Sequence, residues 1–270
     1  MAMKRRVNDI TIAYDDQGSG LPVVLLHAFP LSRAMWEPQA TALVQTGRYR
    51  VIRPDFRGFG ESDVVAQPST MEQLAADTLG LLDQLGISNF VLGGLSMGGY
   101  VAFAIYRARP QAVRALMLAD TRPQPDTPEG KAGRETTAQM AEREGSAAIA
   151  VDWVMRFFPP RVTVPANLPE RVRQIILSND PRGIAAAARG MGLRPDSRPT
   201  LPAITCPTLI IVGEHDSLTP VSDAQTMAEG IRQAQLAIIP HAGHLANLEQ
   251  PVAFNQVLLA FLESLPSASD

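Results

Sequence analysis

The chain has 270 residues, of which 46% are apolar and 19% charged, and its formal net charge is −3. That is material for a sizeable folded core, and it excludes a disordered or coiled-coil chain. There is no basic stripe, so nucleic acid and anionic membrane are poor candidate partners, and the single cysteine, Cys206, excludes an intrachain disulfide and a cysteine-built metal site.

At the N-terminus Lys4, Arg5 and Arg6 are followed by Asn8 and Asp9, where a signal peptide would need an apolar stretch. The longest apolar runs fall far short of the roughly 18 residues of a membrane span. A soluble, cytoplasmic protein is expected. Residues 10–14 alternate like a strand. Residues 23–26 (Val-Val-Leu-Leu) form a continuous apolar run, as a strand buried on both faces of a parallel sheet requires. A helical pattern follows at 36–45, a strand at 49–53, a helix at 71–85, a strand at 90–93, a helix at 98–109 and a strand at 115–118. The rhythm resumes late in the chain with strands at 208–212 and 236–239 and helices at 221–230 and 252–265. The alternation predicts an α/β fold, a mostly parallel sheet flanked by helices.

Between Arg122 and Cys206 the rhythm breaks. The stretch opens with Pro123, Pro125 and Pro128, closes with Pro195, Pro199 and Pro202, and holds no buried-strand run. Helical patterns fall at 132–144, 147–158, 169–177 and 183–191. The stretch is read as a helical lid over the sheet's C-terminal edge, the plainer alternative being ordinary crossover helices. The expected segments are therefore 1–121 and 207–270 for the core and 122–206 for the cap.

The richest motif is Gly94-Leu95-Ser96-Met97-Gly98, placed between a buried strand and a helix. A strand that turns straight into a helix needs a strained backbone at the apex, and glycines on both sides remove side chains that would collide. Ser96 would then stand clear of the sheet at a helix N-terminus, which favours developing negative charge. A hydroxyl needs a base to become a nucleophile. His244, between the last strand and last helix patterns, is the best of the four histidines. His241 is its rival, and His27 is read as a brace for its own loop. The base needs a carboxylate to set its tautomer. Asp216, after the 208–212 strand, is preferred, with Glu214 and Asp120 as alternatives. Two backbone amides should face the oxyanion: Met97, after the nucleophile, and Phe29, in the loop His27-Ala28-Phe29-Pro30.

These motifs, with Asp55-Phe56-Arg57-Gly58-Phe59-Gly60-Glu61-Ser62, resemble the α/β-hydrolase superfamily over nearly the whole chain. Within it the sequence looks like small bacterial carboxylesterases, enol-lactonases, cofactor-free haloperoxidase-type perhydrolases and C–C bond hydrolases. Those families commonly carry glycine where this chain has Ala28. The resemblance implies that residues 55–62 support the elbow rather than react. A serine at the elbow argues against the aspartate-based dehalogenase and epoxide hydrolase reactions. The expected activity is hydrolysis of small or aromatic carboxylic esters through an acyl-enzyme, with lactonase or perhydrolase activity as alternatives and a hydrolase-like ligand receptor as the reading of another class. No metal or organic cofactor is needed for that chemistry, and the partner is a small-molecule ester or lactone. Trp36, Trp153, Phe157 and Phe158 are candidate pocket residues, packing between lid and body being the alternative for the last three.

Overall fold

The apolar runs become strands of one eight-stranded sheet in a computed structural model that describes residues 2–158 and 164–266. The strands are β1 (Met3–Val7), β2 (Ile10–Gly18), β3 (Leu21–Leu26), β4 (Tyr49–Pro54), β5 (Phe90–Leu95), β6 (Val113–Ala119), β7 (Thr208–Gly213) and β8 (Ala234–Ile239). Their spatial order is β1-β2-β4-β3-β5-β6-β7-β8. β2 pairs antiparallel with β1 and β4, and every later pairing is parallel. Val23–Leu26 and all of β5 and β7 are buried, as their unbroken apolar character requires. β1 was not expected. Its Met3, Lys4, Arg5 and Arg6 are exposed and only Val7 is buried, so an edge strand forms without a hydrophobic pattern, and its charges guard the edge.

The flanking helices are α1 (Glu37–Gln45), α2 (Met71–Gln84) and α3 (Met97–Ala108) before the break in rhythm. Within the break lie α4 (Pro128–Phe157), α5 (Leu168–Leu177) and α6 (Pro181–Gly192), and after it α7 (Val221–Gly230), α8 (Ala246–Glu249) and α9 (Pro251–Glu263). Thr127 starts α4 by accepting a hydrogen bond from the Gly130 amide, and Asp180 starts α6 by accepting from Arg182. α4 is interrupted at Gly145, whose φ of 79° and ψ of −179° no helix contains. That point falls between the expected helices 132–144 and 147–158.

The excursion formed by α4–α6 docks through backbone. A Cβ on Gly183 would strike Gly58, and one on Gly190 would strike the Ser69 carbonyl. Asn179, buried just before α6, donates to the Pro30 carbonyl (2.8 Å) and accepts from the Gly60 amide (2.7 Å). Residues 1, 159–163 and 267–270, which belong to the three expected segments in turn, lie outside the described residues. Among the described residues no helix is long and apolar enough to cross a membrane.

Candidate active site

Parallel strands deliver their following loops to one rim, outside the carboxyl ends of the sheet. β3 ends at Leu26 and leads into His27–Pro30. β5 leads into Ser96, β6 into Asp120, β7 into Asp216, and β8 into His244. Residues distant in sequence thus meet because of strand order.

Ser96 sits between β5 and α3 with φ of 55° and ψ of −113°, the left-handed strain expected of the apex. The flanking glycines are sterically required. A Cβ on Gly94 would collide with the Gly98 carbonyl, and one on Gly98 with the Leu26 carbonyl. The Ser96 amide donates to Ala119 (3.0 Å), and its carbonyl accepts from the Thr121 hydroxyl (2.8 Å). Both bonds come from the end of β6 and the residues just after it, which clamp the turn from that side.

His244 is buried, and its Nδ1 lies 2.8 Å from Oδ2 of Asp216. An ionised carboxylate only accepts, so Nδ1 carries the proton and Nε2 is left with a free lone pair. Asp216 also accepts from the Leu218 amide (2.8 Å), the Thr219 amide (3.0 Å) and the Thr219 hydroxyl (2.6 Å). Burial by itself would raise its pKa. The charge and hydrogen bond of His244, with the bonds from Thr219, outweigh burial and hold the carboxyl below its ordinary value. Phe157 stacks on the His244 ring, centroids 5.8 Å apart and planes 6° from parallel. Glu249 grips the amides of Gly243 and Leu245 (2.8 Å each), fixing the backbone on both sides of His244.

The alternative carboxylates stand elsewhere. Glu214 is exposed and accepts from the His241 amide. Asp120 is fully buried and accepts from the Gly213 amide (2.8 Å). Burial, then the charge of Asp216, pushes its pKa well above the ordinary carboxylate value. His27 bonds within its own loop. Its Nε2 accepts from the Phe56 amide (3.0 Å), so Nδ1 donates to the Ala28 carbonyl (3.0 Å). Burial lowers its pKa to about 4. Residues 55–62 act as support, Phe56 through this bond and Asp55 by accepting from the Arg33 and Glu61 amides. Ala28 takes the glycine position of related loops without a left-handed backbone, so alanine fits.

Ser96, Thr219 and His244 line one cavity of about 390 Å³. Trp153 lines it as well and packs edge-on against Phe29 (5.0 Å). The buried Trp153 indole N–H has no partner among the described residues. Arg122, Arg134 and Arg156 also line the cavity, paired with Asp223, Asp126 and Asp152. Met97 is the first residue of α3, where helix geometry leaves the amide without an intrahelical partner. Phe29 lies in the loop after β3. Trp36 is a correction: it is fully buried against Phe254 (6.2 Å), in the core rather than along the cavity. Phe157 and Phe158 pack on each other, and Phe157 reaches the site through the His244 ring. Sequence reasoning missed Thr219, Glu249 and Asn179. Only Thr219 had a signal, since Asp-x-x-Thr after a strand suits a turn in which the carboxylate accepts the following amides.

The comparisons with known proteins agree with this fold. A thermophilic esterase from Thermogutta terrifontis, solved with malate bound, has a TM-score of 0.91 at 43% identity, covering 99% of this chain and 100% of that one. A bromoperoxidase from Bacillus anthracis has a TM-score of 0.86 at 28% identity, covering 98% and 100%. The 3-oxoadipate enol-lactonase 1 of Acinetobacter baylyi is 29% identical over 266 residues, 98% of this chain and 97% of the relative. A model of the Alpha/beta hydrolase family matches residues 23–257. A match of that extent, on a sheet that turns into a helix at a strained serine, makes this chain a member of the α/β-hydrolase family.

Proposed function

We propose that the protein is a serine hydrolase of small or aromatic carboxylic esters, with Ser96 as nucleophile, His244 as base and Asp216 as the carboxylate that holds it. The observation that carries this reading is the buried Asp216–His244 pair, whose His244 lines the same cavity as the strained Ser96. In the first step His244 Nε2 takes the hydroxyl proton while Ser96 Oγ bonds to the carbonyl carbon. The oxyanion receives the amides of Met97 and Phe29. Close approach of Gly98 to the Leu26 carbonyl sets the start of α3 against the strand that leads to Phe29. Two such amides supply several kcal/mol of transition-state stabilisation. The carbon–oxygen bond to the alcohol then breaks, and the alcohol leaves with the proton from His244. Water gives a proton to His244 as its oxygen bonds to the acyl carbon; the bond from that carbon to Ser96 Oγ then breaks, which frees the acid, and Oγ takes the proton back from His244.

The cavity suits a small molecule, and residues 122–206 serve as its lid, contributing Trp153 and the paired arginines. The enol-lactonase relative favours lactones as a second substrate class, since ring opening uses the same steps with the alcohol retained in the product. The bromoperoxidase relative favours a perhydrolase side reaction, in which peroxide replaces water.

A chain-length series of p-nitrophenyl esters beside a lactone panel tests the reading. Ser96→Ala should lower kcat by about 10³-fold or more on every substrate turned over, with the unfolding midpoint unchanged. Near-wild-type turnover by Ser96→Ala would remove the nucleophile assignment.

A further inference from the structure

Glu214, His215 and His241 lie outside the proposed reaction, yet each offers a ligand atom within 4.8 Å of the others. We propose that they form a site for a divalent transition metal ion, Zn²⁺ by preference, that clamps the loops after β7 and β8.

The donor set is two imidazoles and a carboxylate, which suits Zn²⁺, Cu²⁺ or Ni²⁺ and gives hard cations such as Mg²⁺ too few oxygens. The backbones are fixed before any ion arrives. The Glu214 amide donates to Ile239 (3.0 Å) and the His215 amide to Ala242 (2.8 Å). Glu214 in turn accepts from the His241 amide (2.9 Å) through Oε2, so Oε1 is available to a metal. His215 Nε2 already stands 3.7 Å from Glu214 Oε2. Tetrahedral ligands at zinc distances lie about 3.4 Å apart, so the three groups need to close by only about 1.5 Å. All three side chains are exposed, which lets them move and lets an ion enter with water as the fourth ligand. The other two histidines, His27 and His244, are buried, and Cys206 is partly buried.

The position links the site to the rim. His215 precedes Asp216 directly, and His241 stands in the same short loop as His244. An ion here ties together the segments that hold the Asp216–His244 pair.

The test is calorimetric titration of untagged full-length protein with Zn²⁺, and with Mg²⁺ as control. Wild type should bind one equivalent of Zn²⁺ and no Mg²⁺. His215→Ala and His241→Ala should each weaken binding by about tenfold or more. Both positions are exposed, so the variants should keep the wild-type circular dichroism spectrum. Zn²⁺ should raise the unfolding midpoint of wild type and leave that of the double variant unmoved. Absence of Zn²⁺ binding by wild type would overturn the proposal, and so would wild-type affinity in the double variant, which would put the ion elsewhere.

Discussion

Around Ser96 backbone meets backbone: Gly94 abuts the Gly98 carbonyl, and Gly98 abuts the Leu26 carbonyl. In the excursion of α4–α6 side chains do the joining. Arg194 and Arg134 share Asp126, while Arg189 spans Glu135 and Glu142. Backbone contacts of the first kind admit one residue type and leave a motif. Ion pairs of the second kind are interchangeable, and the exposed ones contribute about 0–1 kcal/mol each. The excursion adopts the first kind only where it meets the body, at Gly183 against Gly58 and Gly190 against Ser69. The difference suits the division of labour in the proposed function: a rim that would hold reacting groups to fractions of an ångström, and a cover whose surface could vary with substrate.

The largest expected effect lies at the rim. Asp216→Asn keeps the size of the side chain but lets the amide donate toward His244, favouring the wrong tautomer. It should lower kcat by about 10³–10⁴-fold with little loss of stability, read by ester turnover and thermal unfolding. If Asp120→Asn causes the loss instead, the acid is Asp120. Asp120 accepts from the Gly213 amide rather than holding His244, so that substitution should cost far less.

Next in size is Gly98→Ala. Its Cβ has nowhere to go without parting α3 from β3, since the obstacle is the Leu26 carbonyl rather than a side-chain tip. A loss of about 3 kcal/mol or more is expected in chemical denaturation. A loss under 1 kcal/mol would show that the rim relaxes as easily as the excursion.

The third effect is a pH dependence written into the loop after β3. His27 is neutral in the fold because burial lowers its pKa from 6.5 to about 4, and Phe56 needs its Nε2 as an acceptor. The unfolded chain binds the proton at higher pH than the folded one. The contribution of His27 is therefore fully present above pH 6.5 and is lost as the pH falls toward 4, by about 3 kcal/mol in all. Unfolding free energies of wild type and His27→Asn, each at pH 7 and pH 4.5, isolate the effect. The variant should lose less on acidification, and equal losses would sink the assignment.

The same contrast explains what the sequence reveals. The elbow is legible because backbone collisions demand Gly94 and Gly98 whatever the substrate. Asp216 is legible because strand order brings the loops after β5, β7 and β8 to one rim. The break between the two halves of α4 shows as Gly145. β1 escapes notice since exposed Lys4, Arg5 and Arg6 carry no strand periodicity. Trp36 misleads because nearness to the His27–Pro30 loop in sequence does not say which way a side chain points, and this one turns to Phe254. Pairings between side chains and distant or backbone partners are the least legible. Asp126 finds Arg194 across 68 residues, and Glu249 grips the His244 loop by its backbone. Neither pairing leaves a local pattern.

The smallest expected effect has the opposite sign and lies in the excursion. Gly133 sits inside α4, exposed, with nothing within 4 Å of where a Cβ would project. Its φ is not in the left-handed region, so alanine fits the backbone without strain. Glycine there costs helix stability because the unfolded chain has more freedom to lose. Gly133→Ala should therefore stabilise the protein by about 0.5–1 kcal/mol, where Gly98→Ala destabilises it by several times that amount. Chemical denaturation of the two variants side by side measures both. A destabilising Gly133→Ala would mean that α4 is packed as closely as the elbow, and the contrast between a backbone-locked rim and a side-chain-tied cover would fail.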